Sequence, residues 1–210
     1  MPHNTLTPAE QQAGWRLLFD GKTLKGWRGY MMYSMPSGWQ VVDGVLTRVS
    51  RARDIVYHEK FRNFELVLDW KVAPNGNSGI FYRGIEGPEA IYYSAPEMQV
   101  LDDAGHVDGR TDLTSAGAVY GLYPAPRGIV KPAGEWNTAR ILVNGNHVEH
   151  WLNGKQIAAY ELHSADWKAR VDASKFKQWP EYGQAAEGYI GLQEHGNRIE
   201  FRNIKLRVLP

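Results

Sequence analysis

Short runs of alternating apolar and polar residues, broken by Gly, Asn and Pro, follow one another from Trp15 to the end of the chain. Such runs predict antiparallel strands, because every second side chain of a strand faces the same side. The clearest runs are 39–42, 45–49, 64–72, 78–82, 140–143, 147–152, 156–160, 188–192 and 199–208. With the weaker runs between them, the pattern predicts more than ten short strands and hardly any helix.

Turns and helices are also marked by local signals. Asn144-Gly145 and Asn153-Gly154 separate three of the late runs, and Asn-Gly is the strongest short hairpin signal. Thr7, Pro8 and Glu10 form a capping-box pattern, which predicts one short leading helix. After Ser164 the period changes, which indicates a short helix or turn.

Many short strands with little helix predict an all-β fold of two packed antiparallel sheets, since each sheet must bury one face. We expect a single domain over residues 1–210, with a leading segment (1–14) that carries the short helix and a β-sandwich over 15–210. The 8 Trp and 11 Tyr residues suit a large sandwich core. They would also suit stacking on sugar rings.

Composition excludes several classes of protein. Lys plus Arg number 24 against 23 for Asp plus Glu, with no basic stripe for nucleic acid. The absence of cysteine excludes disulfides and thiolate sites. No apolar stretch approaches the ~18 residues of a membrane span, and residues 1–12 contain no apolar signal core. We therefore expect either a cytoplasmic protein or one whose export signal is not in this sequence. No feature indicates a protein partner.

Three segments carry polar, reactive side chains where plain alternation is expected: 77–83, 97–102 and 191–196. Glu97 and Gln99 share one strand face, whereas Gln193 and His195 share a face opposite Leu192. Gly191, inside a predicted strand, would permit close approach of backbone or ligand. If these faces align, the sequence predicts a polar sheet face that binds or cleaves a ligand.

The chain resembles the bacterial 3-keto-disaccharide hydrolase family over about residues 15–208. The resemblance rests on several segments in order, namely 18–27 (LFDGKTLKGW), 77–83, 97–102, 116–120, 135–137, 151–154, 174–176, 191–196 and 201–204. Glu194 departs from the family pattern, which usually has Asp there. The resemblance implies a jelly-roll sandwich of concanavalin A-like or laminin G-like type. It also implies a periplasmic or extracellular enzyme that acts on carbohydrate.

The chemistry of a 3-keto sugar indicates which side chains to seek. The ketone acidifies the proton on C2, so a base can form a carbanion that expels the group on C1, and water can add to the resulting enone. This requires a base, a partner for the enolate oxygen and an acid. We predict His195 as base or proton shuttle, Glu97 as acid/base or cation ligand, and Arg83 as the enolate or oxyanion partner. Arg83 could instead be a structural partner of Glu97, as could Arg202.

Other side chains could bind the substrate. We predict this role for Gln99, Asp102, Gln193, Asn77, Tyr82 and Tyr120, whose amides, carboxylate and phenols suit sugar hydroxyls and rings. No cofactor is certain. The loop 102–109 is rich in oxygen ligands and could hold a divalent cation, although its spacing is not that of an EF-hand and a solvated acidic loop explains its composition slightly better.

Two other functions stay open. The first is a lectin-like module that binds carbohydrate without cleaving it, because fold alone does not establish chemistry. The second is a glycosidase that uses Glu97 and Asp102 as a carboxylate pair, which requires the two groups to lie close together. No serine-hydrolase elbow or phosphate-binding loop occurs in the sequence.

Overall fold

The computed structural model describes residues 3–210, and these form thirteen strands and a few short helices. The strands in chain order are β1 (Arg16–Leu17), β2 (Trp27–Gly29), β3 (Trp39–Val42), β4 (Val45–Arg48), β5 (Ile55–Phe61), β6 (Phe64–Val72), β7 (Asn77–Gly84), β8 (Glu97–Leu101), β9 (Asn137–Asn144), β10 (His147–Leu152), β11 (Lys155–Glu161), β12 (Gly188–Leu192) and β13 (Ile199–Val208). All of the clear alternating runs are strands, so that prediction is confirmed.

The strands form two antiparallel sheets. The larger sheet has the order β11-β10-β9-β6-β13-β4-β3, with β1 also paired to β13, and the smaller sheet has the order β2-β5-β12-β7-β8. Strands distant in sequence are neighbours, such as β6 beside β13 and β5 beside β12. The predicted all-β, two-sheet antiparallel sandwich is confirmed.

The core lies between the two sheets. Ile80 of β7 and Met98 of β8 belong to the same buried apolar cluster as Leu68 and Phe201 of the larger sheet. Because side chains alternate along a strand, Glu97 and Gln99 turn away from this core. The smaller sheet thus carries a polar patch on its outer face, at the junction of β7 and β8.

The signals for the helices and for the second hairpin are also confirmed, whereas the first hairpin turns at Gly145-Asn146, because Asn144 pairs with His147 at the end of β9. Asn153 and Gly154 both have positive φ, at 51° and 80°, as a two-residue hairpin turn requires. Helix α1 (Pro8–Gln12) has the Thr7–Glu10 capping box, and helix α2 (Ala165–Asp172) is capped by Ser164. Three 3₁₀ helices cover Ile91–Tyr93, Val107–Arg110 and Lys175–Gln178. Within residues 3–210, no helix is long and apolar enough to cross a membrane.

Candidate active site

A cleft of about 300 Å³ opens on the outer face of the smaller sheet, above β7 and β8. It brings together six of the residues that the sequence analysis singled out: Asn77, Glu97, Gln99, Tyr120, Gln193 and His195. They come from the adjacent strands β7 and β8 and from the loops that follow β8 and β12. None of the eight tryptophans lines this cleft, and its tyrosine and phenylalanine rings are those of Tyr92, Tyr120 and Phe176. Sugar stacking by tryptophan is therefore not a feature of this cleft.

Glu97 forms the floor of the cleft, and Gly79 makes room for it. The register of β7 and β8 places Phe81 opposite Glu97 and Gly79 opposite Gln99. A Cβ atom added to Gly79 would lie 2.0 Å from Oε1 of Glu97, far inside any contact distance. The carboxyl group of Glu97 therefore occupies the space that a side chain at position 79 would fill.

The carboxyl of Glu97 is buried without a charged partner. The residue is 6% exposed, and within residues 3–210 its carboxyl takes part in no side-chain hydrogen bond or ion pair. Burial raises the pKa of Glu97 to about 8, and the positive charge of Lys175 partly opposes this rise. Neither Arg83 nor Arg202 pairs with this carboxyl. Arg202 instead pairs with Asp69 at 3.3 Å, and Arg83 donates to backbone carbonyls. A carboxyl with such a pKa can exchange protons near neutral pH.

Two side chains that line the same cleft have a buried amide oxygen with no hydrogen-bond partner among residues 3–210. Gln99, which is 1% exposed, donates its Nε2 hydrogen to the carbonyl of Thr114 at 3.1 Å, but its Oε1 atom has no partner. Oε1 of Gln193 is also buried and unpaired. An unpaired buried acceptor is costly, so both oxygens are suited to accept hydrogen bonds from the hydroxyl groups of a ligand.

His195 stands at the exposed rim, on a loop that other residues hold in place. The backbone N–H of Glu194 donates to Oδ1 of Asp54 at 2.8 Å, and Arg48 forms a 2.5 Å ion pair with Glu194. Arg48 also donates to the carbonyl of Gly196 at 2.6 Å. The ring of His195 lies 6.2 Å from that of His106, edge to face. The loop after β12 is thus fixed on both sides of His195.

Lys175 supplies a cationic side chain to the cleft. Its Nζ atom lies 4.6 Å from the ring centroid of Tyr120. The neighbouring Phe176 also lines the cleft and stacks on Tyr182 with ring centroids 4.0 Å apart, which anchors the 3₁₀ helix Lys175–Gln178 beside the sheet. The ammonium group and the carboxyl of Glu97 are close enough to influence each other's charge.

Asp54 lies on another wall of the cleft, just before β5. Burial raises the pKa of Asp54 to about 6, the charge of Glu194 adds to the rise, and the N–H of Glu194 opposes it. A carboxyl in this state is partly protonated near neutral pH. Asp54 can therefore donate or accept a proton under ordinary conditions.

Sequence reasoning missed several lining residues, chiefly Asp54, Tyr92, Asp108 and Lys175. Lys175 lies within the segment 174–176, which is one of those that carry the family resemblance. That resemblance was the sequence signal that could have identified Lys175 as a site residue. Asp108 belongs to the acidic loop considered for a cation. Asp54 ends an Arg-Ala-Arg-Asp run with no pattern of its own, so only its position in space identifies it.

Arg83 does not reach the cleft, so the predicted meeting of Arg83 with Glu97 and His195 is wrong. Its φ of 52° is in the left-handed region and breaks the alternation of β7. The guanidinium group donates to the carbonyls of Arg62 at 3.1 Å and Gly145 at 2.5 Å. Arg83 therefore joins two turns of the sandwich and is not placed to stabilise an enolate in the cleft.

Tyr82 and Asp102 are also absent from the cleft, contrary to prediction. Tyr82 faces the core, where its hydroxyl group lies 2.8 Å from Nε2 of His150 and also contacts the hydroxyl of Tyr160. Oδ2 of Asp102 accepts a hydrogen bond from the N–H of Asn75 at 2.8 Å. The strand glycine Gly191 faces Ile91 rather than a ligand, because an added Cβ would lie 2.8 Å from Cδ1 of Ile91.

In the acidic loop 102–109, some carboxylate oxygens accept hydrogen bonds from backbone N–H groups of the same protein. Asp103 accepts the N–H of Ala116 at 2.8 Å, while Asp102 accepts that of Asn75. Within residues 3–210, no group of three or more His, Asp or Glu side chains is arranged to hold a metal ion. The divalent cation suggested by the loop composition stays a prediction.

Comparison with known proteins identifies close relatives. A family model described as "3-keto-alpha-glucoside-1,2-lyase-like domain" matches residues 14–207. A "3-keto-disaccharide hydrolase" of Bacteroides thetaiotaomicron is 38% identical over 228 aligned positions, which cover 93% of this chain and 79% of that protein. The match extends over the segments that form the cleft.

Solved structures agree with this relationship. A crystal structure of a candidate glycosyl hydrolase from Parabacteroides distasonis has a TM-score of 0.92 and 36% identity, and the match covers 100% of both chains. A Bacillus subtilis protein of galectin-like fold has a TM-score of 0.51 and 12% identity, covering 99% of this chain and 94% of that one. The second likeness concerns the sandwich fold alone.

Proposed function

Because the chain belongs to the 3-keto-disaccharide hydrolase family and is an enzyme, we propose that it cleaves the glycosidic bond of 3-keto-glycosides by elimination followed by hydration. The observation that carries this proposal is the buried carboxyl of Glu97, which has no side-chain partner within residues 3–210, in a cleft that also presents the unpaired amide oxygens of Gln99 and Gln193. Such a cleft combines a proton-transfer group with acceptors for sugar hydroxyls.

Glu97 is the base in this proposal. It removes the proton on C2, and the electron pair of the C2–H bond generates the enolate of the C3 ketone. When the ketone re-forms, the pair moves into a C1–C2 double bond, and the C1–O bond breaks with its electrons on the departing oxygen. A base with a pKa near neutrality suits this step, since it is strong enough to accept the proton and still present in ionised form.

Lys175 replaces Arg83 as the proposed partner of the enolate oxygen. Its ammonium group lines the cleft that Glu97 enters, and negative charge moves from the carboxylate to the C3 oxygen during proton abstraction. Lys175 is an exposed side chain whose Nζ atom lies over the ring of Tyr120, and a cation beside the reacting atoms stabilises such a developing charge.

The hydration step needs a water molecule and the return of the proton. We assign His195 to take a proton from the water that adds to C1, since its exposed ring lines the cleft at the solvent side. Protonated Glu97 then gives its proton to C2. The departing oxygen takes up a proton to leave as an alcohol, and His195 releases its proton to solvent. The sum is therefore one glycoside and one water consumed for one keto sugar and one alcohol.

The two alternatives are less favoured. A lectin-like module does not require a carboxyl buried without a partner, and the family relationship supports an enzyme. The carboxylate pair of Glu97 and Asp102 is not supported, because Asp102 does not line the cleft and is bound to the N–H of Asn75.

The experiment measures release of the alcohol from 4-nitrophenyl 3-keto-glucoside, in both anomers, and from the unoxidised parent glucosides. We expect cleavage of a keto substrate only. Cleavage of the parents would favour a carboxylate glycosidase, and cleavage of neither would favour the binding module. A parallel series with a chelator tests the cation prediction, since loss of activity that a divalent cation restores would place a metal ion in the reaction.

A variant of the base completes the test. Glu97→Gln keeps the shape of the side chain but cannot accept the C2 proton, so we expect kcat to fall about 10²–10⁴-fold. The Glu97→Gln variant should also exchange the C2 proton of the substrate for deuterium from D₂O more slowly than the wild type. Unchanged kcat in a folded Glu97→Gln enzyme would remove Glu97 from the mechanism.

A further inference from the structure

A second cleft of about 310 Å³ lies directly beside the first, which measures about 300 Å³. The two clefts share three lining residues, Asp54, Tyr92 and Glu194. The mechanism above uses only the first cleft. A disaccharide contains two rings joined through one glycosidic oxygen, and two adjacent clefts of nearly equal volume match that shape.

The side chains of the second cleft suit a sugar. Tyr92 and Tyr93 contribute aromatic rings, and Tyr93 is held by stacking on Trp179, with ring centroids 4.3 Å apart and planes inclined by 21°. Arg53 also lines the cleft, and within residues 3–210 its side chain has no hydrogen bond or ion pair. Rings for the apolar faces of a pyranose and a free donor for its hydroxyl groups are a typical carbohydrate-binding combination.

We infer that the second cleft binds the leaving sugar of the 3-keto-disaccharide and that Asp54, on the wall between the clefts, protonates the glycosidic oxygen. This inference rests on the proposed function, because it takes the first cleft to hold the keto sugar. The bond that breaks then lies beside the shared wall, where Asp54 is the carboxyl held in place by the N–H of Glu194.

The proton balance of this step is complete. As the C1–O bond breaks, its electron pair goes to the glycosidic oxygen, which takes the proton of Asp54 and leaves as an alcohol. Asp54 becomes a carboxylate and is reprotonated from solvent before the next turnover. The raised pKa of Asp54, about 6, leaves a fraction of the group protonated at neutral pH, which is what an acid of this kind needs.

A blocking variant tests the subsite. Ala90 lines the second cleft but not the first, so Ala90→Trp should obstruct it. We expect kcat/KM for a 3-keto-disaccharide to fall at least 10-fold, and that for methyl 3-keto-glucoside to stay within 2-fold. Ala186→Trp, at an exposed alanine outside both clefts, serves as the control and should leave both values unchanged. Equal losses on both substrates, or no loss on the disaccharide, would overturn the subsite.

A second variant tests the acid. Asp54→Asn keeps an oxygen acceptor for the N–H of Glu194 but has no proton to donate. We expect a loss of about 10²-fold or more for the disaccharide and for methyl 3-keto-glucoside, but less than 10-fold for 4-nitrophenyl 3-keto-glucoside, whose leaving group needs little protonation. Equal losses on all three substrates would reject the role of Asp54. If the wild-type enzyme cleaves none of the three, the proposed function fails instead.

Discussion

The carboxyl group of Glu97 lies over the bare Cα of Gly79, and a Cβ at position 79 would approach its Oε1 atom to 2.0 Å. The two residues are on adjacent antiparallel strands, β8 and β7. Gly79 therefore has a positional role in the site without any functional group of its own. Its φ is not in the left-handed region, so the glycine is needed for space rather than for backbone conformation.

Gly79→Ala should displace the carboxyl of Glu97 and lower kcat/KM about 10²-fold, since a shift of about 1 Å in a catalytic group costs this much. The matched test is a double-mutant cycle with Glu97→Ala. Because the added methyl group meets the carboxyl of Glu97, Gly79→Ala should destabilise the wild type but have little effect on stability in the Glu97→Ala background. Equal destabilisation in both backgrounds would contradict this relationship, as measured by urea unfolding.

The pH dependence of cleavage should report the ionisation of Glu97. The base must be deprotonated, and burial raises its pKa to about 8. With 4-nitrophenyl 3-keto-glucoside, which needs little acid assistance, kcat/KM should rise with pH and level off above about pH 8. A rate that falls between pH 6 and pH 8 on this substrate would instead make Glu97 an acid in the reaction.

The stability of the protein should depend on pH in the same range. The folded state keeps the proton of Glu97 up to a pKa of about 8, whereas the ordinary value is 4.5. The folded state thus binds more protons, and its stability falls as pH rises through this window. Glu97→Gln does not titrate, so its stability relative to wild type should increase from pH 5 to pH 8. The expected gain is on the order of a few kcal/mol, because one pKa unit corresponds to about 1.4 kcal/mol. Thermal unfolding of both proteins across this range provides the measurement, and a constant difference would disprove the shift.

Lys175→Met should lower kcat about 10²–10³-fold, as expected for loss of a group that stabilises developing negative charge. Since Lys175 holds the pKa of Glu97 below the value that burial alone would give, the rising limb of the pH profile should also move to higher pH. Lys177→Met, in the same 3₁₀ helix and exposed, is the matched control. An equal effect of the two substitutions would argue against a specific role of Lys175.

Arg83→Met should affect stability rather than chemistry. The substitution leaves the carbonyls of Arg62 and Gly145 without their donor, which should cost about 1–3 kcal/mol. The Km and kcat of the folded enzyme should be close to those of wild type. Arg62→Met, at an exposed neighbouring arginine, is the control and should cost little. A selective loss of kcat in Arg83→Met, with stability unchanged, would restore Arg83 to the mechanism.

Much of the fold follows from local sequence patterns. Period-two alternation locates the strands, Asn153-Gly154 marks a hairpin, and Thr7 with Glu10 marks the cap of α1, because each of these signals acts over a few neighbouring residues. The same alternation directs Glu97 and Gln99 to one face of β8. It also places Tyr82 on the face of Ile80, toward the core, which contradicts the substrate-binding role predicted from its phenol ring.

Tertiary structure alone decides which side chains meet in the cleft. Asp54, Glu97 and Lys175 are far apart in sequence, and the pairing of β5, β12, β7 and β8 brings two of them together while the stack of Phe176 on Tyr182 positions the third. The left-handed conformation of Arg83 removes it from the face that alternation would have assigned. Burial then shifts the pKa values of Glu97 and Asp54, since desolvation depends on all surrounding atoms and not on neighbours along the chain.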